Sequence, residues 1–348
     1  MKALKLCFIV AFTLFTTTIS AQEKAKTTKT QITGEDLLGL KSGADPKKAN
    51  AGVAGSSRKK GRPVVFIIGD STVKNGKDNG SNHQWGWGHF FADYVDTTKV
   101  SVENHALGGR SSRTFITEGL WDKVLSAVKP GDYVLIQFGH NDSGSLNMGR
   151  ARASLKGYAD NDTTVVMELT GKEETVHSFG WYMRKYAKDV KAKKATPILL
   201  SHIPRNMFTS KDSVAVIRNS ESFGLWTKEA ATMEKVPYID LNKLIADKLD
   251  KMGKDAIQTL YYGDHTHTSE AGAGASAVMY SIVETAKANN LNIFQYLYTV
   301  LLYMPDYMNS SAGIEQLMPW SEFIKEQCSG IIDVESNVPE NRIPLPCR

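Results

Sequence analysis

Three polar clusters hold residue types that can break an ester or ligate a metal. Gly69-Asp70-Ser71-Thr72 and Gly139-His140-Asn141-Asp142 each follow an apolar run, and Gly263-Asp264-His265-Thr266-His267 precedes an apolar pattern at helical spacing. A serine nucleophile needs a base, a group that orients the base, and donors for the oxyanion. Ser71 suits the nucleophile, with Gly69 permitting a tight turn. His267 can take its proton. Asp264, three residues earlier, can bind the other ring nitrogen and fix the tautomer. His265 is the local rival, and the i to i+3 separation from Asp264 favours His267. The backbone N–H of Ser71, a glycine N–H within Gly108-Gly109 and the Asn141 side chain are candidate oxyanion donors. Taken singly, each cluster has a plainer meaning. Gly-Asp-Ser is a common turn, Gly-His-Asn-Asp a loop bonded to its own backbone, and Asp-His-Thr-His part of a metal site. No third ligand cluster accompanies the last, so neither a metal nor a cofactor is expected.

The elements that position these clusters follow from the apolar pattern. Val64 to Ile68 is a continuous β-rich run, as suits a strand buried on both faces of a parallel sheet. Similar runs lie at Tyr133–Phe138 and Ile198–Ser201, with weaker ones at Val100–Asn104 and Pro237–Ile239. Between them, Trp87, Phe90, Phe91, Tyr94 and Val95 share one helical face, and so do Trp121, Val124, Leu125 and Val128. Trp181 to Lys193 and Ser222 to Lys235 are further helices. Alternating strands and helices predict a doubly wound, three-layer α/β/α sandwich with a parallel, flavodoxin-like sheet. Ligands bind beyond the carboxyl ends of such strands. The residues that follow Ile198–Ser201, namely His202, Arg205 and Asn206, therefore fall on the ligand side.

In this order, on this pattern, the stretch 64–272 resembles the SGNH (GDSL-like) hydrolase superfamily and, within it, the rhamnogalacturonan acetylesterases. The motifs that carry the resemblance are Gly69-Asp70-Ser71-Thr72, Asn104-His105-Ala106-Leu107-Gly108-Gly109-Arg110-Ser111, Phe138-Gly139-His140-Asn141-Asp142 and Asp264-His265-Thr266-His267-Thr268. The resemblance implies Ser71 as nucleophile, His267 as base and Asp264 as its partner. It implies an oxyanion hole of Ser71, Gly109 and Asn141, with Gly109 the better match because it directly precedes Arg110-Ser111. It implies removal of acetyl groups from pectic polysaccharide or oligosaccharide. Arg110 and Arg113 can face a uronate carboxylate, which guanidinium binds bidentately, or can pair with the protein's own acids. Trp85 can stack on sugar, whereas Trp87 fits the core.

The first 21 residues read as a signal peptide: Lys2 and Lys5, an apolar run from Leu6 to Phe15, then small and polar residues up to Ala21. Export to a secreted or periplasmic location follows, and disulfides become permissible, but beyond Cys7 only Cys328 and Cys347 remain to pair. Residues 22–61 read as a flexible basic linker. The net charge of +5 arises there: residues 1–21 carry +2 and residues 22–62 carry +6, leaving −3 on 63–348. The basic balance is therefore no argument for nucleic-acid binding, and no membrane contact beyond the signal peptide is expected.

The esterase domain is read as 62–272. The remainder, 273–348, departs from it. The run from Gly272 to Asn290 and the tetrapeptide Leu317-Met318-Pro319-Trp320 resemble the C-terminus of insertion-sequence transposases. This suggests a mobile element joined near Gly272. Ala271, Ala275, Val278, Ile282 and Val283 supply an apolar stripe for a substitute last helix. The stretch holding Phe294, Tyr296, Leu297 and Val300 to Leu302 has no evident partner in the esterase. It is too short and interrupted for a transmembrane span. The tail holds no recognisable catalytic carboxylate set.

Overall fold

The computed structural model describes residues 58–278 except 96, together with 289, 291, 292, 295, 296, 299, 303, 315–319 and 321–328. The expected signal peptide and all but the end of the linker lie outside these residues. The chain divides into two compact units, Met1–Met279 and Tyr280–Arg348.

The first unit is built on five parallel strands. These are β1 (Val64–Gly69), β2 (Ser101–Asn104), β3 (Tyr133–Gln137), β6 (Thr196–Leu200) and β7 (Tyr238–Ile239), ordered β2-β1-β3-β6-β7. Strands β4 (Asp162–Val166) and β5 (Glu173–His177) form a separate antiparallel hairpin. Counting only the main sheet, the order is the flavodoxin-like one, and the chain reverses direction across the sheet at β1/β3. The α/β class and parallel sheet read from the sequence are thus the observed ones.

All six residues of β1 are buried, so both faces of the sheet are covered. Val64, Phe66, Ile68, Val134 and Ile136 share a core with three helices: Trp121 and Val124 of α2 (Leu120–Ala127), Tyr182, Met183 and Tyr186 of α3 (Phe179–Ala192), and Ala230 and Ala231 of α4 (Phe223–Glu234). A four-residue helix, α1 (Thr114–Thr117), precedes α2. Leu135 and Gln137 point the other way by the pleat, and Trp87 reaches Gln137 there, its Nε1 donating to Oε1 at 2.9 Å. Beyond β7 lie α5 (Leu241–Met252) and α6 (Lys254–Gln258).

Two local expectations fail for physical reasons. Residues 87–95 form no α-helix but two 3-10 turns, Trp87–His89 and Phe91–Tyr94. The backbone N–H groups of Trp87 and Gly88 are taken by the carbonyls of Thr72 and Val73, which ties this segment to the β1 loop rather than to a helical ladder. Residues 270–278 are helical, but the buried face is Gly272, Ala273, Ser276 and Ala277 rather than the stripe beginning at Ala271. Gly272 makes this possible, because a Cβ there would stand 2.1 Å from the Leu260 carbonyl oxygen. In the second unit several side chains are buried. Tyr296, Leu317, Met318, Ile324 and Cys328 are buried, with the Tyr296 hydroxyl donating to Leu317 O at 3.2 Å. The Cys328 thiol lies 3.5 Å from Thr299 Oγ1, and Cys347 lies outside the described residues.

Asp132 ties the feet of three strands. Its carboxylate accepts from Val64 N at 2.8 Å, from Lys129 N at 2.7 Å and from the Arg58 guanidinium, while its carbonyl accepts from Thr196 N. Asp132→Ala strands the buried Val64 N–H, at a cost of about 2–3 kcal/mol. Urea unfolding should show that loss, with Asp132→Asn recovering part of it. A change below about 0.5 kcal/mol, the ordinary surface-mutation range, contradicts the assignment.

Candidate active site

Strand β1 ends at Gly69, and the chain turns at once. No other residue fits there, because a Cβ on Gly69 would stand 2.7 Å from the Gln137 carbonyl oxygen and from Val73 Cγ2. Asp70 is fully buried and shapes the turn. Its Oδ1 accepts from Thr72 N at 2.9 Å and Thr72 Oγ1 at 2.8 Å, and its carbonyl accepts from Val73 N and Lys74 N. Thr72 Oγ1 accepts in turn from Gln137 Nε2 at 3.0 Å, the same amide that receives Trp87. Ser71 is left at the apex, half-buried.

The histidine loop closes over this apex. The Asp264 Oδ1 accepts from Thr266 N at 2.7 Å and His267 N at 2.8 Å, folding the loop on itself. Its Oδ2 lies 2.6 Å from His267 Nδ1, and His267 Nε2 lies 2.9 Å from Ser71 Oγ. Partial burial pushes the Asp264 carboxyl up. The hydrogen bonds from the His267 ring and from the two N–H groups outweigh this and hold it well below the usual carboxylate range. An ionised carboxylate only accepts, so Nδ1 carries the ring proton and Nε2 is the acceptor facing the serine hydroxyl. The loop is fastened outside by Trp85 N donating to Thr268 O at 3.0 Å and by Thr268 Oγ1 donating to Trp85 O at 2.6 Å. Trp85 is thereby a brace, packed on His89 and Phe90. The His265 ring pairs with Thr266 Oγ1 at 2.8 Å instead. A chain of this geometry can draw the proton from a serine hydroxyl as it attacks a carbonyl.

Two further strand ends complete the surroundings. His105 N and Leu107 N donate to Ile67 O and Gly69 O, carrying the chain after β2 alongside β1. Gly108 arrives beside Ser71: a Cβ on it would stand 3.7 Å from Ser71 Cβ. Gly109 is left-handed, with φ +79°. After β3, Asn141 Nδ2 donates to Arg110 O at 2.9 Å, which brings Asn141 to the Gly108-Gly109 turn. The N–H groups of Ser71 and Gly109 have no hydrogen-bond partner among the described residues. Asp142, which spacing alone did not single out, holds this region together. It accepts from Ser112 N and Oγ and from Ser154 Oγ, and its carbonyl accepts from Ser154 N. Burial raises its carboxyl to about 7, against the hydrogen bonds from Ser112.

The expected substrate residues divide. Arg110 and Arg113 are corrected. Arg113 is fully buried, with Nε 2.6 Å from Glu174 Oε1 and Nη1 donating to Leu146 O and Ala153 O. Arg110, 6% exposed, donates to Glu118 Oε2 at 2.9 Å and to Gly108 O. Both guanidinium groups are engaged by the protein, so neither awaits an incoming carboxylate. His202, Arg205 and Asn206 gather around His140 and the histidine loop. The His202 and His140 rings lie 4.3 Å apart, Arg205 Nη2 donates to His140 O at 3.1 Å, and Asn206 N donates to His265 O at 2.8 Å. Burial, then the Arg205 charge, pushes His202 down to about 3, so it is neutral. The sequence reading missed Lys74, Arg150 and Arg152, which surround the Gly108-Gly109 turn. They sit in irregular loops, where no periodicity marks a facing side chain.

The chain belongs to the GDSL-like Lipase/Acylhydrolase family, which it matches over residues 67–275, and its fold is that of the SGNH hydrolases. It is a carboxylic ester hydrolase by that membership. A second match, to the IS66 C-terminal element, covers residues 281–320. Among relatives, the rhamnogalacturonan acetylesterase of Emericella nidulans is 32% identical over 229 residues, 65% of this chain and 87% of that protein. The probable rhamnogalacturonan acetylesterase YesY of Bacillus subtilis is 27% identical, over 61% of this chain and 88% of its own length. The crystal structure of Bacillus subtilis protein YxiM superposes with a TM-score of 0.52 at 29% identity, over 65% of this chain. The chain spans 56% of that protein's length.

Asp142 yields a pH prediction. Its raised pKa means the folded protein keeps a proton that the unfolded chain has lost. Its contribution to stability is therefore greatest below about pH 4 and declines as pH rises towards about 7. Asp142→Asn removes that decline, so the variant should gain on the wild type across this window in urea unfolding. A stability difference constant from pH 4 to about 7 contradicts the assignment.

Proposed function

We propose that this chain is an exported serine esterase that removes acetyl groups from acetylated pectic polysaccharide or its oligosaccharides. The observation that carries the reading is the chain of hydrogen bonds from Asp264 through His267 to Ser71, at 2.6 and 2.9 Å. The acetylesterase relatives support the ester type and a carbohydrate substrate. The leader pattern of residues 1–21 supports export to a secreted or periplasmic location.

In this mechanism Ser71 Oγ attacks the acetyl carbonyl carbon while His267 Nε2 takes the hydroxyl proton. The tetrahedral oxyanion is met by the N–H groups of Ser71 and Gly109 and by the Asn141 amide. Collapse breaks the bond to the sugar oxygen, which receives the proton from His267, leaving acetyl-Ser71. Water, deprotonated by His267, then attacks the acyl group, and acetate departs as the proton returns to Ser71. Asp264 orients the ring throughout and stabilises its protonated form.

The IS66 match at 281–320 favours a second reading. In that reading the chain is an impaired or binding-only remnant whose C-terminus is foreign. Acetate release from acetylated pectin separates the two. An active esterase loses about 10⁴-fold or more in kcat on Ser71→Ala or His267→Ala, and about 10⁴-fold on Asp264→Asn. His265→Ala should stay within about threefold, as expected of a side chain that touches no reacting atom. A folded protein that releases no acetate, or whose release survives Ser71→Ala, overturns the esterase reading.

A further inference from the structure

The turn after β3 carries Asn141, and its residues are fixed one after another. Gly139, with φ +138°, passes against the His202 ring, where a Cβ would stand 2.2 Å from Nδ1. The His140 carbonyl accepts from Arg205 Nη2 at 3.1 Å, and the His140 ring Nδ1 accepts from Arg205 Nε at 3.4 Å. Asn141 Nδ2 donates to Arg110 O at 2.9 Å. The His140 carbonyl shares a planar peptide unit with the Asn141 N–H. Arg205 therefore sets the plane from which the Asn141 side chain departs. The Asn141 amide nitrogen carries two hydrogens. One is held by Arg110 O, which fixes the direction of the other.

The residues that press on this turn are themselves anchored. His202 O accepts from Asn219 Nδ2 at 3.3 Å and from Asn242 Nδ2 at 3.0 Å. Arg205 stands between two ties to the segment that carries His267. Tyr261 Oη donates to Pro204 O at 2.8 Å, and Asn206 N donates to His265 O at 2.8 Å. The loop after β6 thus touches the oxyanion side and the base side of the site at once. Burial, and then the charges nearby, push both the His140 and the His202 ring down, His202 to about 3. Both rings are therefore uncharged near neutral pH, and the guanidinium packs beside them without repulsion.

We propose that Arg205, backed by His202, is a positioning residue that presets Asn141 as an oxyanion donor and keeps it in register with the His267 loop. A donor aimed before the charge develops needs no reorganisation as the transition state forms. The planar guanidinium reaches the carbonyl and the ring of His140 side by side, which the point charge of a lysine cannot reproduce. The catalytic part of this role rests on the esterase reading. The fixing of the Asn141 side chain does not.

The test is a double-mutant cycle between Arg205 and Asn141, followed on the full chain with nitrophenyl acetate, an ester that carries no sugar. Asn141→Ala should lower kcat about 10²–10³-fold, as for the loss of one oxyanion donor. Arg205→Gln should lower kcat about tenfold or more with KM within about threefold. In the Asn141→Ala background the same change should cost less than about twofold, because the group it positions is gone. Arg205→Lys keeps the charge but not the fork. It should lose about threefold or more in kcat, and it carries the same cycle if Arg205→Gln fails to fold. Losses that multiply, a change confined to KM, or full activity in both Arg205 variants overturns the proposal. A second readout needs no turnover: heteronuclear NMR of the Asn141 side-chain amide, identified by its loss in Asn141→Ala. Its protection from solvent exchange should fall about tenfold or more in the Arg205 variants, while the amides of β1 keep theirs. Unaltered protection overturns the proposal. A wild type that releases no nitrophenol, with an amide that loses protection in the variants, sinks the esterase reading and leaves the hold of Arg205 on Asn141 standing.

Discussion

The hydrogen bond between His267 Nε2 and Ser71 Oγ joins positions 196 residues apart in the chain. A half-buried contact between a histidine and a serine contributes little on its own, so its geometry has to be imposed by what stands behind it. On the serine side this is β1, buried along its whole length, then Gly69 against Gln137 and the carboxylate of Asp70 under Thr72. On the histidine side it is a loop folded on Asp264 and stitched to Trp85 through Thr268. Trp85 and Trp87 are two residues apart and serve the two sides. One holds the histidine loop, and the other reaches the sheet through Gln137.

The acids of the site are sorted by environment. Asp70 and Asp142 are fully buried, and burial raises both carboxyls, that of Asp142 to about 7. Asp264 lies nearer solvent and collects three hydrogen bonds, which hold it ionised. Environments that push titratable groups apart in this way assign their roles. The acid that must carry charge behind the imidazole carries it, and the other two act as hydrogen-bonded struts. The buried His140 and His202, both pushed down, add no positive charge near the base.

Much of this was legible in the sequence, for reasons that differ by residue. Val64 to Ile68 and Tyr133 to Gln137 are continuous apolar runs, and only strands covered on both faces need them. The helices containing Trp181 and Trp226 keep a 3.6-residue period and were read within a few residues of their ends. Spacing alone failed where other contacts decide the backbone. The aromatic residues 87–95 keep helical spacing, yet the N–H groups of Trp87 and Gly88 at the start of the segment bond to the serine loop. The hairpin β4–β5 is short and rich in Thr and Glu, so it carries no apolar alternation. Arg110 and Arg113 were visible as arginines near the serine, but not Glu118 and Glu174, which come from elsewhere to engage them. Arg150 and Arg152 stand on either side of Ala151, whose backbone is left-handed with φ +46°, and no local sequence signature marks that turn.

The junction after the esterase gives the account its sharpest edge. The helix at 270–278 presents Gly272, Ala273, Ser276 and Ala277 inward, and the two family matches end at 275 and begin at 281. His267 lies eight residues before the end of the first match, and its placement decides whether the serine is activated. Treatment of the full chain with a fluorophosphonate, followed by peptide mass spectrometry, asks this directly. The reagent transfers its phosphonyl group to an activated serine oxygen and loses fluoride. The account predicts a single adduct on Ser71 that disappears in His267→Ala. No adduct, an adduct on another serine, or labelling of Ser71 undiminished without His267 would contradict it.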